Sequence, residues 1–81
     1  MSKLPLLTAK ELISILVILN FDCKRQKGSH KFFRHEDGRT TVIPDHGGEQ
    51  IDRGLLNKII RQDLQMNIED FIKLSKGKGL K

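Results

Sequence analysis

Apolar positions along the chain follow helical spacing near both ends and alternation in the middle. Between Ala9 and Asn20, Leu12, Ile13, Leu16, Val17 and Leu19 recur at the spacing of one helix face, which predicts a first helix. Thr8-Ala9-Lys10-Glu11 has the form of a capping box, in which the Thr hydroxyl and the Glu carboxylate satisfy free N–H groups at the helix start. Ile15 and Ile18 extend the apolar surface beyond one stripe, so this helix is expected to be deeply packed or touched by a partner.

The middle of the chain reads as strands. Phe21 to Gln26 is expected to place Phe21 and Cys23 inward and Asp22 and Lys24 outward, with Lys27-Gly28 as the turn that ends it. Ser29 to Glu36 is a second strand, Asp37-Gly38 a hairpin signal because both residues tolerate positive φ, and Arg39 to Ile43 a third strand. Adjacent Phe32 and Phe33 must point to opposite faces, which leaves open which of them faces the helices. Pro44 has no N–H to donate and closes the strand, so Asp45-His46-Gly47-Gly48 is a loop.

Leu55, Leu56, Ile59 and Ile60 predict a second helix over Gly54 to Gln62. Asn67 can cap a short last helix that turns Ile68, Phe71, Ile72 and Leu74 inward. The order is helix, three strands, helix, short helix. Three antiparallel strands can bury one face under two helices, giving an α+β domain of two layers, in outline like a double-stranded-RNA-binding domain. We expect one domain over residues 1–75 and a basic, disordered tail at 76–81.

Composition narrows the function classes. The 81 residues leave room for one core, which four Phe and no Trp or Tyr require to be mainly Leu, Ile and Val. Cys23 is the only cysteine, so no intramolecular disulfide can form and a reducing cytoplasm is the expected setting. The most apolar run, Leu12 to Leu19, falls far short of the ~20 residues that span a bilayer, so no membrane role is expected. Net charge is +5, with Lys24, Arg25, Lys27, Lys31, Arg34 and Arg39 set against only Glu36 and Asp37 between Lys24 and Thr40. A second basic zone, Lys73, Lys76, Lys78 and Lys81, follows Phe71, and the two zones point to a polyanion partner.

Five segments occur in a telling order: Gly28-Ser29-His30, Gly38-Arg39-Thr40-Thr41-Val42, Pro44-Asp45-His46, Gly54-Leu55-Leu56 running into Lys58-Ile59-Ile60-Arg61-Gln62, and Asn67-Ile68-Glu69-Asp70-Phe71. Together they resemble the HicA family of messenger-RNA interferase toxins over about Leu4 to Leu74. The chain departs from that pattern at Asp63-Leu64-Gln65-Met66, where many members have a tighter Ala-Gly turn, and in the basic extension after Leu74. The resemblance implies an endoribonuclease that cuts messenger RNA without metal or other cofactor. It also implies that His30 is catalytic and that a HicB-type antitoxin neutralises the protein.

The residues can support such chemistry. RNA carries its own nucleophile, the 2′-hydroxyl, so cleavage needs chiefly a base for that proton and stabilisation of the phosphorane charge. An imidazole, with an ordinary pKa of about 6.5, can take or give a proton near neutrality. Gly28 and Ser29 offer backbone N–H groups to a phosphate, while Lys27, Lys31, Arg34 and Arg39 supply positive charge. Ser29 is not expected to be a nucleophile, because adjacent Ser and His side chains diverge. His46 either pins its loop or takes a second acid-base or phosphate role, and His35 is expected to be a solvated strand residue. Cys23, His30, His35 and His46 match no standard zinc spacing, and Gly47-Gly48 lacks the rest of a phosphate-binding P-loop. The alternative is a non-catalytic module that binds double-stranded RNA or protein. Arg53 to Lys58 lacks the dense lysine cluster a duplex-gripping helix would carry.

Overall fold

The computed structural model describes residues 4–77. Helix α1 spans Ala9–Ile18, followed by strands β1 Phe21–Lys27, β2 His30–His35 and β3 Thr40–Pro44. Helix α2 covers Arg53–Lys58, continues as a π-helical turn over Ile59–Asp63, and is followed by α3, Ile68–Gly77. The strands form one antiparallel sheet in the order β1-β2-β3. The α+β layout expected from the sequence is the one observed.

Local chemistry sets the ends of α1. The Glu11 N–H donates to the Thr8 hydroxyl at 3.2 Å and the Thr8 N–H donates to the Glu11 carboxylate at 2.9 Å, completing the capping box. Asn20, at φ 68, takes the left-handed position that follows the helix, which Asn tolerates better than most residues. Leu12, Ile15 and Leu16 of α1 then pack with Phe21, Phe33 and Ile43 of the sheet and with Leu56, Ile59, Ile60, Leu64 and Phe71. All of these are buried. Phe33 is therefore the inward phenylalanine and Phe32 the outward one. The outer sheet face carries no buried side chain among the described residues.

The second helix differs from the expected Gly54–Gln62 at both ends. Asp52 caps it, its carboxylate accepting the Leu55 N–H at 3.2 Å. Past Lys58 the ladder widens, with the Leu64 N–H donating to the Ile59 carbonyl at 2.8 Å. The wider turn lets Ile59, Ile60 and Leu64 all enter the core. Two ties then hold this segment to the sheet: the Thr41 hydroxyl donates to Asp63 Oδ2 at 2.8 Å, and the Arg39 guanidinium donates to the Leu64 carbonyl.

Two further expectations, for Cys23 and for the turn between β2 and β3, are corrected. Cys23 is exposed rather than part of the core, because β1 is an edge strand and only Phe21 of that strand lies under the helices. In the turn between β2 and β3 only Gly38 has positive φ, at 101. Asp37 instead shapes the turn with its carboxylate, which accepts the Arg39 N–H at 3.0 Å. Helix α3 runs to Gly77, so residues 76 and 77 of the expected tail are helical, and residues 78–81 lie outside the described residues. Among the described residues no helix is long and apolar enough to cross a membrane.

Candidate functional site

Gly28 and Ser29 form a two-residue loop between paired Lys27 and His30. Gly28 has φ 59 and Ser29 is not in the positive region, the pattern of a type II′ turn, whose twist matches that of the flanking strands. His30 thus opens β2 at a fixed point, exposed on the outer sheet face.

What surrounds His30 is decided by an irregularity in β1. Cys23 pairs with Phe33 but Arg25 pairs with Phe32, so Lys24 is an extra residue, a β-bulge. Beyond it the inward and outward positions exchange. Arg25 and Lys27 fall on the outer face, directly opposite Phe32 and His30. Arg25, Lys27, His30, Phe32 and Val42 line a shallow depression of about 340 Å³. The Arg25 guanidinium carbon sits 5.5 Å from the centre of the Phe32 ring. Arg34, two residues beyond Phe32, shares this face and is exposed.

The structure separates the expected binding residues into two groups. Lys27, Gly28, Ser29 and Arg34 lie at the turn or on the outer face with His30. Lys31 alternates to the helix side, where its Nζ lies 3.0 Å from Asp45 Oδ2. The hydrogen bond and charge of Lys31 hold the Asp45 carboxyl below its ordinary pKa. The Asp45 N–H also donates to the Ser29 carbonyl at 2.6 Å. The loop carrying exposed His46 is therefore tied to the turn that presents His30.

Arg39 is likewise engaged elsewhere. Its Nε donates to Asp37 Oδ2 at 2.8 Å, its guanidinium reaches the Leu64 carbonyl, and it lies 5.3 Å from the centre of the Phe21 ring. The backbone N–H of Arg39, then its side chain, keeps the Asp37 carboxyl below its ordinary pKa. His35 is not a solvated strand residue: it stands edge-on to Phe21 at 5.1 Å, and its Nδ1 accepts the Asp37 N–H at 3.0 Å. Lys31, His35 and Arg39 thus brace the loops around the sheet.

Arg25 and Phe32 join the site although sequence reasoning did not place them there. A signal existed: counting backwards from a two-residue Gly28-Ser29 turn pairs Lys27 with His30 and Arg25 with Phe32. Among the described residues, no three His, Cys, Asp or Glu side chains converge as a metal site requires. The face offers instead an open imidazole, a ring and flanking cations, suited to a phosphate ester that carries planar groups.

Comparison with known proteins gives one family match. The profile of the HicA toxin of bacterial toxin-antitoxin systems matches residues 9–63, more than half of the chain and including the whole sheet. No curated protein matches the chain.

Proposed function

Because the chain belongs to the HicA family and is a toxin of the bacterial toxin-antitoxin type, we propose that it is a metal-independent endoribonuclease that cuts messenger RNA with His30. The observation that carries this reading is the exposed His30, opposite Lys27 and beside Arg25 on a sheet face that no described helix covers.

In this mechanism the neutral His30 imidazole takes the proton of a ribose 2′-hydroxyl. The 2′-oxygen attacks the adjacent phosphorus, the bond to the 5′-oxygen breaks, and a 2′,3′-cyclic phosphate forms. Lys27 and the Gly28 and Ser29 N–H groups offset the charge that grows on the phosphoryl oxygens, and Arg34 holds the strand beyond. Lys31 and Arg39 act at one remove by fixing the loops through Asp45 and Asp37. His46, on the loop tied to Ser29, is assigned the secondary role of giving a proton to the departing 5′-oxygen. The partner that silences the toxin is a HicB-type antitoxin that covers the His30 face, and both act in the cytoplasm, where messenger RNA is found.

The test is cleavage of an unstructured RNA in EDTA by the wild type and His30→Ala. General acid-base catalysis contributes about 10²–10⁴-fold, so the variant should lose at least about a hundredfold in rate while its thermal melt is unchanged. Undiminished cleavage by His30→Ala removes the assignment. The reading as a duplex-RNA binder has less support, because α2 is short and its Arg53 donates to the Leu4 carbonyl at 3.3 Å.

A further inference from the structure

We propose that Phe32 is a stacking platform for one unpaired base next to the scissile phosphate, so that the protein reads single-stranded RNA on its sheet face and rejects duplex. The inference rests on the nuclease reading of the same face. The ring of Phe32 has Arg25 opposite it on β1 and Val42 opposite it on β3, which makes a row with an apolar centre and a cationic end. Val42 is 44% exposed, large for a β-branched residue in a strand. Among the described residues no helix covers this apolar surface, since the helices pack against the other face through Phe33, Thr41 and Ile43.

The occupant follows from charge and shape together. Arg25, Lys27 and Arg34 share the outer face with Asp22, which itself lies 3.9 Å from Lys24, and with Glu36, which lines one depression together with Asp22, Lys24 and Arg34, so cations outnumber acids among these described residues. A polyanion fits this surface. The guanidinium now over Phe32 shows that the ring face accepts a planar group. A nucleobase takes that place, and the released Arg25 meets the neighbouring phosphate.

Access to the face of a base selects the single strand. His30 and Phe32 are two residues apart on one strand face, about 6.7 Å along the strand. A phosphate at His30 and a base on Phe32 would be neighbouring groups of one strand, and stacking on the ring needs a base with a free face. In a duplex, moreover, both faces of every internal base are already covered.

The probe is a short 2′-O-methyl oligoribonucleotide carrying 2-aminopurine, which cannot be cleaved and whose fluorescence is quenched on stacking. It is compared with the same strand annealed to its complement. The wild type should bind the single strand more tightly than the duplex and quench the probe. Phe32→Leu should weaken single-strand binding about 5- to 150-fold and abolish the quenching, whereas Phe32→Tyr keeps both. Wild-type affinity and quenching in Phe32→Leu overturn the proposal, as does preference for duplex. A loss in Phe32→Leu confined to binding of the antitoxin protein overturns it too. Cleavage retained by His30→Ala defeats the nuclease reading alone, while an unaffected Phe32→Leu defeats the stacking site alone.

Discussion

The turn that presents His30 can be tested by inverting the chirality of one atom. Gly28 has φ 59, and a Cβ built there meets no atom within 4 Å, so a side chain has room and any penalty comes from the backbone. An L-residue in the left-handed region is disfavoured by about 1–2 kcal/mol. A D-alanine is at home at positive φ. It removes freedom from the unfolded chain without strain, a gain of about 0.4–1 kcal/mol over glycine. The entropy gain over glycine is common to both alanines, so the two should differ by the strain alone, about 1–2 kcal/mol. For a domain of this size each kcal/mol moves the melting temperature by about 4–8 °C, so the D-form should melt roughly 4–16 °C above the L-form. Both can be made by chemical synthesis with ligation at Cys23 and compared by circular dichroism, followed by the RNA cleavage assay. The D-alanine protein should keep its cleavage rate, since the turn holding His30 is unaltered. Equal melting temperatures, or a more stable L-form, would refute the turn geometry and with it the fixed placement of His30.

Other outcomes follow from the loops that brace the site. Gln65 has φ 56 without being glycine, so Gln65→Gly should raise stability by up to about 1 kcal/mol, and a lowered urea midpoint would contradict this. Asp45 has a carboxyl pKa held below its ordinary 3.8, chiefly by Lys31, so its stabilising effect is complete above that value and is lost as pH falls through the lower folded value. Asp45→Asn should thus melt below the wild type at neutral pH, with the gap closing as the solution is acidified below 3.8; a gap that widens in acid would rule this out.

The parts of the fold legible in the sequence were those fixed by neighbours. Thr8 and Glu11 contain their own capping interaction, and Gly28 and Gly38 mark turns that need positive φ. Strand and helix periods placed the three strands and the three α-helices. The parts that were not legible depend on distant partners. Nothing local says that Lys31 will meet Asp45, or that Arg39 will reach a carbonyl 25 positions away, so both looked like free cations available to RNA. The π-helical turn was hidden for a related reason: Ile59, Ile60 and Leu64 fit either helical period, and only the demand to bury all three decides between them.

The β1 bulge shows why the site itself was harder to read than the fold. Lys24-Arg25-Gln26-Lys27 contains no apolar residue, so alternation carries no phase through it, and counting forward from Phe21 assigns these side chains to the wrong faces. Without the bulge, the pairing of Cys23 with Phe33 would continue as Lys24 with Phe32, Arg25 with Lys31 and Gln26 with His30. Arg25 and Lys31 would then be like charges directly opposite each other on the helix side, which is destabilising. The extra residue puts Gln26 opposite Lys31 instead and lets Gly28-Ser29 close a two-residue turn. An edge strand bears such a bulge at little loss, because its outer backbone groups already face water. The same slip moves Arg25 and Lys27 opposite Phe32 and His30. The requirement to avoid a repulsive pair on the helix side of the sheet is therefore met by an irregularity that also collects the cations around the imidazole.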